Sequence, residues 1–475
     1  MDIPFPLSTS PGCRPQESAG RLVNCFAEPL GEELGVVWRR SPGAEVFAEI
    51  DASGFRGGIE MPGVIYAAYQ DEVLAVTEVI DTTDGNYWEG TTHGSLAGSD
   101  KLFIARNNNA TPDVVVVSPS EGAFVITSED VLDYPDEDVG SPNAVEFLAG
   151  YFFFTYGDGT CRTSGINTTD IDTNDFVTAE QHPDGLIRPQ AVRSDMLLCG
   201  TESIEVWQNT ANPTGFPFSF AYTIPAGLIA PHAMAGGGPA FRDVLVWVAE
   251  DNTVRSLSGA EPVKVSPPDL DDLIDRLQDK TELEACVYIA QGHRYFQLSC
   301  NSWTRVLNLN NLKWHERDSY LQMRSRLTQT FRGDGKWLCG DTETGNLLHI
   351  SGTYYQEAGN PLRMRIESGP VKIFPNRMRV PRADFDFTVG PGDARGEEPI
   401  ETNPVVDISW TDDGGVNWSV PLQRPLGRQQ EADKRITVTN TGLTGSQGRR
   451  WRLDVSDPVY VALQGGSMSA SFKGP

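Results

Sequence analysis

The sequence is poor in the side chains that do chemistry. Its 475 residues include 7 cysteines and 6 histidines. The cysteines stand at 13, 25, 161, 199, 286, 300 and 339, widely spaced, with no CxxC pair. An odd set of this kind, partly inside apolar runs, makes neither a disulfide framework nor a thiolate zinc site. It reads as buried free thiols in a reducing compartment. The histidines, at 93, 182, 232, 293, 315 and 349, contain no i, i+4 pair, which argues against a zinc site. No P-loop, nucleophile elbow or spaced dinucleotide fingerprint is present. No catalytic, cofactor-binding or metal-binding residue is therefore named. Long apolar runs are also missing, and the longest falls far short of a membrane span. The N-terminal "MDIPFPLSTSPGCRP" has neither the charged start nor the apolar stretch of a secretory signal. The expectation is a chain made and folded in a cytoplasm, without a membrane anchor. Positive charge is scarce as well: 38 Lys and Arg stand against 65 Asp and Glu, a net charge of −27. Such a surface repels DNA and anionic lipid unless a local patch reverses the sign.

What the chain does have is strands in copies. "GVIYAAYQDEVLAVT" from Gly63, "KLFIARNNNATPDVVVVS" from Lys101 and "GYFFFTYGDGTCRTSG" from Gly150 are each an apolar run, a polar turn and a second run. "SDMLLCGTESIEVWQNT" from Ser194, "RDVLVWVAEDNTVRSLSG" from Arg242, "HRYFQLSCNSWTRVLNL" from His293 and "GKWLCGDTETGNLLHISG" from Gly335 repeat the design. The leading strand residues, Val64, Leu102, Tyr151, Met196, Val244, Tyr295 and Trp337, lie 38, 49, 45, 48, 51 and 42 residues apart. A period near 45 with strand–turn–strand units is the signature of a β-propeller. Each blade cannot cover both of its faces alone, and stacking in a ring buries them. A long irregular β-sandwich is the other reading. Six or seven blades fit, because the first and last strands of a ring often share one blade. The expected division is an N-terminal extension over 1–20, a propeller over 21–358 and a separate module over 361–475.

Residues 268–285 break the pattern. Leu270, Leu273, Ile274 and Leu277 recur at helical spacing, with Asp269 in the N-cap position and acids in the first turn. This predicts a short amphipathic helix inserted between blades, packed on the side of the ring or against a neighbouring subunit. From about 361 longer alternating strands form a module of about 115 residues, which suits a β-sandwich. Within it, Thr411, Asp413, Gly415 and Trp418 fit the Asp-box pattern of sialidases and other propellers. The pattern is a turn device and occurs once, outside the repeats. A glycosidase needs two carboxylates at a set separation in one cleft, and 65 acids single out no pair. A carbohydrate-binding or glycosidase-type propeller is retained as the alternative, since fold does not settle function.

Charge is unevenly placed. Residues 107–161 contain no Lys or Arg but ten acids: Asp113, Glu121, Glu129, Asp130, Asp133, Asp136, Glu137, Asp138, Glu146 and Asp158. Residues 363–382 reverse this, with Arg363, Arg365, Lys372, Arg377, Arg379 and Arg382 against Glu367. Two readings stand: two solvated surfaces, or complementary faces between neighbouring subunits or partner proteins, where charge sets orientation more than affinity. The six basic residues are the candidate subunit interface.

Three stretches together resemble a known family. They are "SAGRLVNCFAEP" with "RRSPG" near the start, "PDGLIRPQAVRSDMLLCGTESIEVWQNT" in the middle, and "SWTDDGGVNW", "RPLG" and "GRRWRLDVSDPVYVALQGG" near the end. In order and spacing they look like the packaged-DNA stabilisation, or tail-hub, proteins of short-tailed phages. The loop over 391–404 and the acidic stretch over 129–138 have no counterpart in that resemblance. It implies a non-enzymatic virion protein of the tail, assembled in the bacterial host cytoplasm. It further implies a homo-hexameric ring below the portal and its adaptor ring, which helps retain packaged DNA and carries the tail needle, fibres or tailspikes. Duplex DNA would pass the ring without sequence-specific binding, repelled by an acidic wall.

Overall fold

The computed structural model describes all residues except 13, 32–34, 84, 180–184, 211–214, 239, 432 and 474–475. Cys13 and His182 lie outside the described residues. The fold is all-β. The described chain divides into two compact units, residues 46–288 with 327–349, and residues 1–45 with 289–326 and 350–475.

The first of these units is built from four-stranded antiparallel meanders. Phe55–Met61, Val64–Tyr69, Glu72–Val79 and Tyr87–Ser95 form one. Phe103–Arg106, Val114–Ser118, Gly122–Ile126 and Val131–Asp133 form the second. Ala144–Leu148, Tyr151–Thr155, Thr160–Ser164 and Ile171–Thr178 form the third. Leu186–Val192, Asp195–Gly200, Ile204–Asn209 and Phe218–Ile224 form the fourth, and Met234–Gly236, Leu245–Val248, Val254–Ser258 and Glu261–Lys264 the fifth. A last sheet takes Leu327–Gly333, Lys336–Asp341 and Leu347–Ser351 and is completed by Gly43–Glu49 from near the start of the chain.

The second strands explain how these sheets stack. "VVVVS" and "YFFFT" are apolar on both faces, the pattern of a strand covered from two sides. Side chains alternate across a strand. Accordingly Val114 and Val116 pack with Tyr66, Ala68 and Val73 of the first meander. Val115 and Val117 turn the other way, to Phe152 and Phe154 of the third. Phe153 in turn packs with Met196 and Leu198 of the fourth. Layers of core thus lie between the first and second, the second and third, and the third and fourth meanders. The last sheet joins the series at the first meander, where Leu338 and Leu347 share a layer with Phe55, Ile65 and Val76.

The predicted helix is shorter than expected. It runs Pro268–Asp275, with Leu270 and Ile274 buried, and a separate 3-10 turn follows at Lys280–Glu282. Asp269 is not the N-cap: Pro267 holds that position and Pro268 begins the helix, where a missing N–H costs nothing. The early stop also has a cause. The Lys280 ammonium donates to the carbonyls of Ile274 and Asp275, and Asp279 caps the next turn by accepting from the Thr281 N–H.

In the other unit, His293–Ser299, Thr304–Asn308 and Lys313–Glu316 form an antiparallel run. Its last strand pairs in parallel with Arg21–Val23, which pairs in turn with Met364–Glu367. That sheet continues through Arg450–Val455, Val405–Thr411 and Leu422–Pro425. A second sheet holds Cys25–Pro29, Val36–Arg40, Ala462–Lys473, Arg377–Phe387 and Ile436–Thr439. Ile366, Ile408, Trp451 and Leu453 of the one sheet and Met378, Val380, Phe385, Val438 and Leu463 of the other share a single apolar core. The stretch over 1–20 is tied down here: Ile3 enters that core, Ser10 bridges to Gly20, and Thr9 Oγ1 donates to Glu316 at 2.7 Å.

Candidate functional site

The first strands of the meanders in residues 46–288 and 327–349 converge on a cavity of about 760 Å3. Gly58–Glu60, 102–106, 145–148, 188–193, 234–238 and 329–332 contribute wall, with Ala285, Cys286 and Val287 between the last two. A polar group is set into this wall. Arg188 donates to the Pro231 carbonyl at 3.2 Å and to Gln190 Oε1 at 2.8 Å. Its guanidinium lies 4.8 Å from the centre of the Phe103 ring, on which His232 also stacks at 4.5 Å. Glu146 accepts from its neighbour's N–H and from Gln190 Nε2. Burial pushes the Glu146 carboxyl up and the nearby Arg188 opposes it. Burial, then Arg188, pushes His232 down to about 4, so the imidazole is neutral at pH 7. A neutral histidine, an arginine held by carbonyls and a carboxylate held by amides form a wall that keeps its shape.

The mouth of the cavity is different. Arg106 ends the strand Phe103–Arg106, Arg193 follows Leu186–Val192, Arg332 lies near the end of Leu327–Gly333, and Arg242 follows Met234–Gly236 after a loop. All four are exposed, and none makes an ion pair among the described residues. Sequence reasoning missed this group. The signal was an arginine at or next to the end of the first strand in three copies of the repeat, with a fourth in the loop after Met234–Gly236, in a chain short of positive charge.

The basic stretch proposed as an interface divides into two classes. Arg363 pairs with Asp318 at 3.0 Å. Arg365 forms two bonds with Asp454, at 2.7 and 2.9 Å, and Arg382 clasps Asp384 at 2.7 Å. These three are each neutralised by a nearby carboxylate. Lys372, Arg377 and Arg379 are exposed; Arg377 Nε donates to the Thr444 carbonyl at 2.8 Å. Of the acidic stretch, Glu121, Glu129, Asp130, Asp133, Glu137 and Asp158 are exposed, whereas Glu146 belongs to the cavity wall.

The Asp-box residues make a turn. Asp413 accepts from the Val416 N–H at 3.0 Å, the Asn417 N–H at 3.0 Å and Thr411 Oγ1 at 2.7 Å. Burial works against its charge, but these bonds, led by Asn417, hold the carboxyl down at about 2. Trp418 is covered by Arg452, 3.7 Å from the ring centre. The six described cysteines are all buried and none is in a disulfide, and burial pushes the Cys199 thiol up to about 12. Among the described residues no group of three or more His, Cys, Asp or Glu is placed to hold a metal ion. No described helix is long and apolar enough to cross a membrane.

A family model described as phage stabilisation, bacteriophage P22 Gp10, β-propeller, matches residues 26–355. No curated protein matches the chain. Among solved structures, it is similar to the WD40 β-propeller domain of Doa1, with a TM-score of 0.42 and 10% identity over 65% of this chain and 96% of that one. The WD40 repeats of RRP9 give a TM-score of 0.41 and 12% identity over 66% of this chain and 99% of that one.

Proposed function

We propose, since the chain belongs to the phage-stabilisation family of bacteriophage P22 Gp10 β-propeller proteins, that it is a structural subunit of a phage tail hub. The observation that carries this reading is the family match over residues 26–355, supported by meanders whose second strands are apolar on both faces. In this reading the meanders are blades of one propeller. The last is closed by Gly43–Glu49, and Glu284–Ala290 leads a further sheet, ahead of His293–Ser299. For the division into domains we propose the one expected from the sequence, with one change. The strands over 21–40 serve the two-sheet module of 361–475, which we take as the β-sandwich.

Six copies would form a ring around the particle axis, docked on the portal adaptor. The ring would help retain the packaged DNA and present a platform for needle, fibres or tailspikes. The net charge of −27 supports a wall from which duplex DNA is repelled rather than bound. Lys372, Arg377 and Arg379, exposed in the two-sheet module, are the part of the basic stretch free to meet an acidic face of a neighbour. The Asp-box is accounted for by its own hydrogen bonds as a turn, which removes the motif that had favoured the carbohydrate reading.

The test is imaging of phage particles that carry this chain with an added tag. Six tag densities around the tail axis below the adaptor are expected. Particles that stay full of DNA and infectious when the chain is deleted overturn the reading.

A further inference from the structure

We propose that the mouth of the cavity is a binding site for a small polyanion, a molecule carrying several phosphate or carboxylate groups. This goes beyond the tail-hub reading and does not depend on it. Four arginines from four separate meanders, Arg106, Arg193, Arg242 and Arg332, line one cavity. Their charges are not met from within: none is in an ion pair among the described residues. The two acids of the described wall are already engaged. Glu60 Oε1 accepts from the Asp334 N–H at 2.6 Å, and Glu146 is held by Gln190 and a backbone amide. Arg106 is steadied by the Glu60 carbonyl at 3.1 Å, and Arg332 lies 5.3 Å from the centre of the Trp337 ring.

Four like charges gathered in a chain of net charge −27 are not the default of this surface. They line the same cavity as the apolar side chains of Phe103, Phe147, Leu148 and Phe331, and apolar surroundings strengthen the attraction between a guanidinium and an anion. Guanidinium groups match phosphate and carboxylate with paired hydrogen bonds. The volume, about 760 Å3, falls in the usual range for small-molecule sites, roughly 300–1,000 Å3. It is too small to take duplex DNA, whose major groove alone is about 12 Å wide.

The probes are tripolyphosphate and citrate, titrated calorimetrically into the full chain at low salt. Binding of one molecule per chain is expected, weakening as sodium chloride is raised; whichever probe binds more tightly identifies the phosphate or the carboxylate class. Arg193→Ala with Arg242→Ala should reduce the affinity about tenfold or more, because two charged hydrogen-bond donors are lost. Arg106→Gln with Arg332→Gln is the second pair, for use if the first alters the circular dichroism spectrum. Arg377→Ala with Arg379→Ala, outside the cavity, should leave binding unchanged. The proposal is overturned by no binding of either probe at millimolar concentration. It is overturned equally by the same loss in the Arg377 and Arg379 control, or by binding of a hexaglutamate peptide alone, which would make the partner a protein.

Discussion

His315 offers a quantitative test of how burial and charge act in the strand Lys313–Glu316. Its imidazole is fully buried beside Phe26 and Tyr295, with ring centres 6.2 and 6.1 Å away. Among the described residues neither ring nitrogen has a hydrogen-bond partner. Burial, then the Arg317 charge, pushes it down to about 3, with Glu316 opposing. The unfolded chain binds a proton at this residue below about pH 6.5, whereas the folded chain does so only near pH 3. Stability therefore falls as pH drops through that window. Between pH 7.5 and 5.5 the unfolded imidazole gains about 1.4 kcal/mol from protonation that the folded one does not. His315→Phe removes this loss and two orphan nitrogens, each worth about 1–3 kcal/mol when left unpaired. The variant should be more stable than the parent at pH 7.5, and its advantage should grow by about 1.4 kcal/mol at pH 5.5. Both conditions stay above the isoelectric point of about 4.6. His232 titrates in the same direction in both proteins, so its effect cancels. Urea unfolding followed by tryptophan fluorescence at the two pH values measures the gap. An advantage that does not change with pH, or a variant less stable at both, refutes the reasoning.

Reversing Arg377 and Arg379 to Glu should change the stability of the isolated subunit by less than about 1 kcal/mol, because both are exposed. The same change should weaken incorporation into particles in a salt-dependent way, and normal infectivity would remove this interface. Arg449→Ala should cost about 3–5 kcal/mol: the guanidinium is fully buried, bonded to Asp412 and Thr441 and packed near Trp410 and Trp451. An unchanged urea midpoint would contradict it. Gly345→Ala should destabilise by about 1–3 kcal/mol, since a Cβ there would meet the Ala52 carbonyl at 1.7 Å. A midpoint within error of the parent would show that the loop gives way freely. Purified protein should turn over no sialoside, phosphate ester or peptide, and turnover abolished by Asp413→Asn would reinstate the carbohydrate reading.

The repeat was legible because its second strands are apolar on both faces, a signal that survives without any sequence identity between copies. In six copies the leading residue read from the sequence falls at or within two residues of the start of the second strand. In the copy at Leu102 it fell one strand early. "LFIA" is as apolar as the second strand "VVVV", and the Asn-rich turn between them resembles a hairpin tip. The helix was legible in place but not in length, since Lys280 and Asp279 act through backbone groups that a periodicity does not reveal. The basic stretch over 363–382 was legible as charge. Its division into paired and free residues was not, because the partners Asp318 and Asp454 lie 45 and 89 residues away along the chain. The cavity arginines were hidden for the opposite reason: each is a single residue at a strand end or in the loop that follows, and only the convergence of the first strands brings them together.

The strand Gly43–Glu49 has a consequence for synthesis. It leaves the ribosome early, yet the sheet it completes does not exist until residue 351 of 475 has been made. Until then only the edge toward Tyr87–Ser95 has its native mate; the edge meant for Leu347–Ser351 waits open, and a waiting edge is a template for other chains. Pairing across such a separation is slow, because the loop entropy is lost before any contact offsets it. A chain stopped short of Leu327 therefore carries a strand with one open edge, and one that has lost Gly43–Glu49 carries the matching gap. Each could take up the other's missing piece, so partial products of this protein are expected to find one another rather than remain inert.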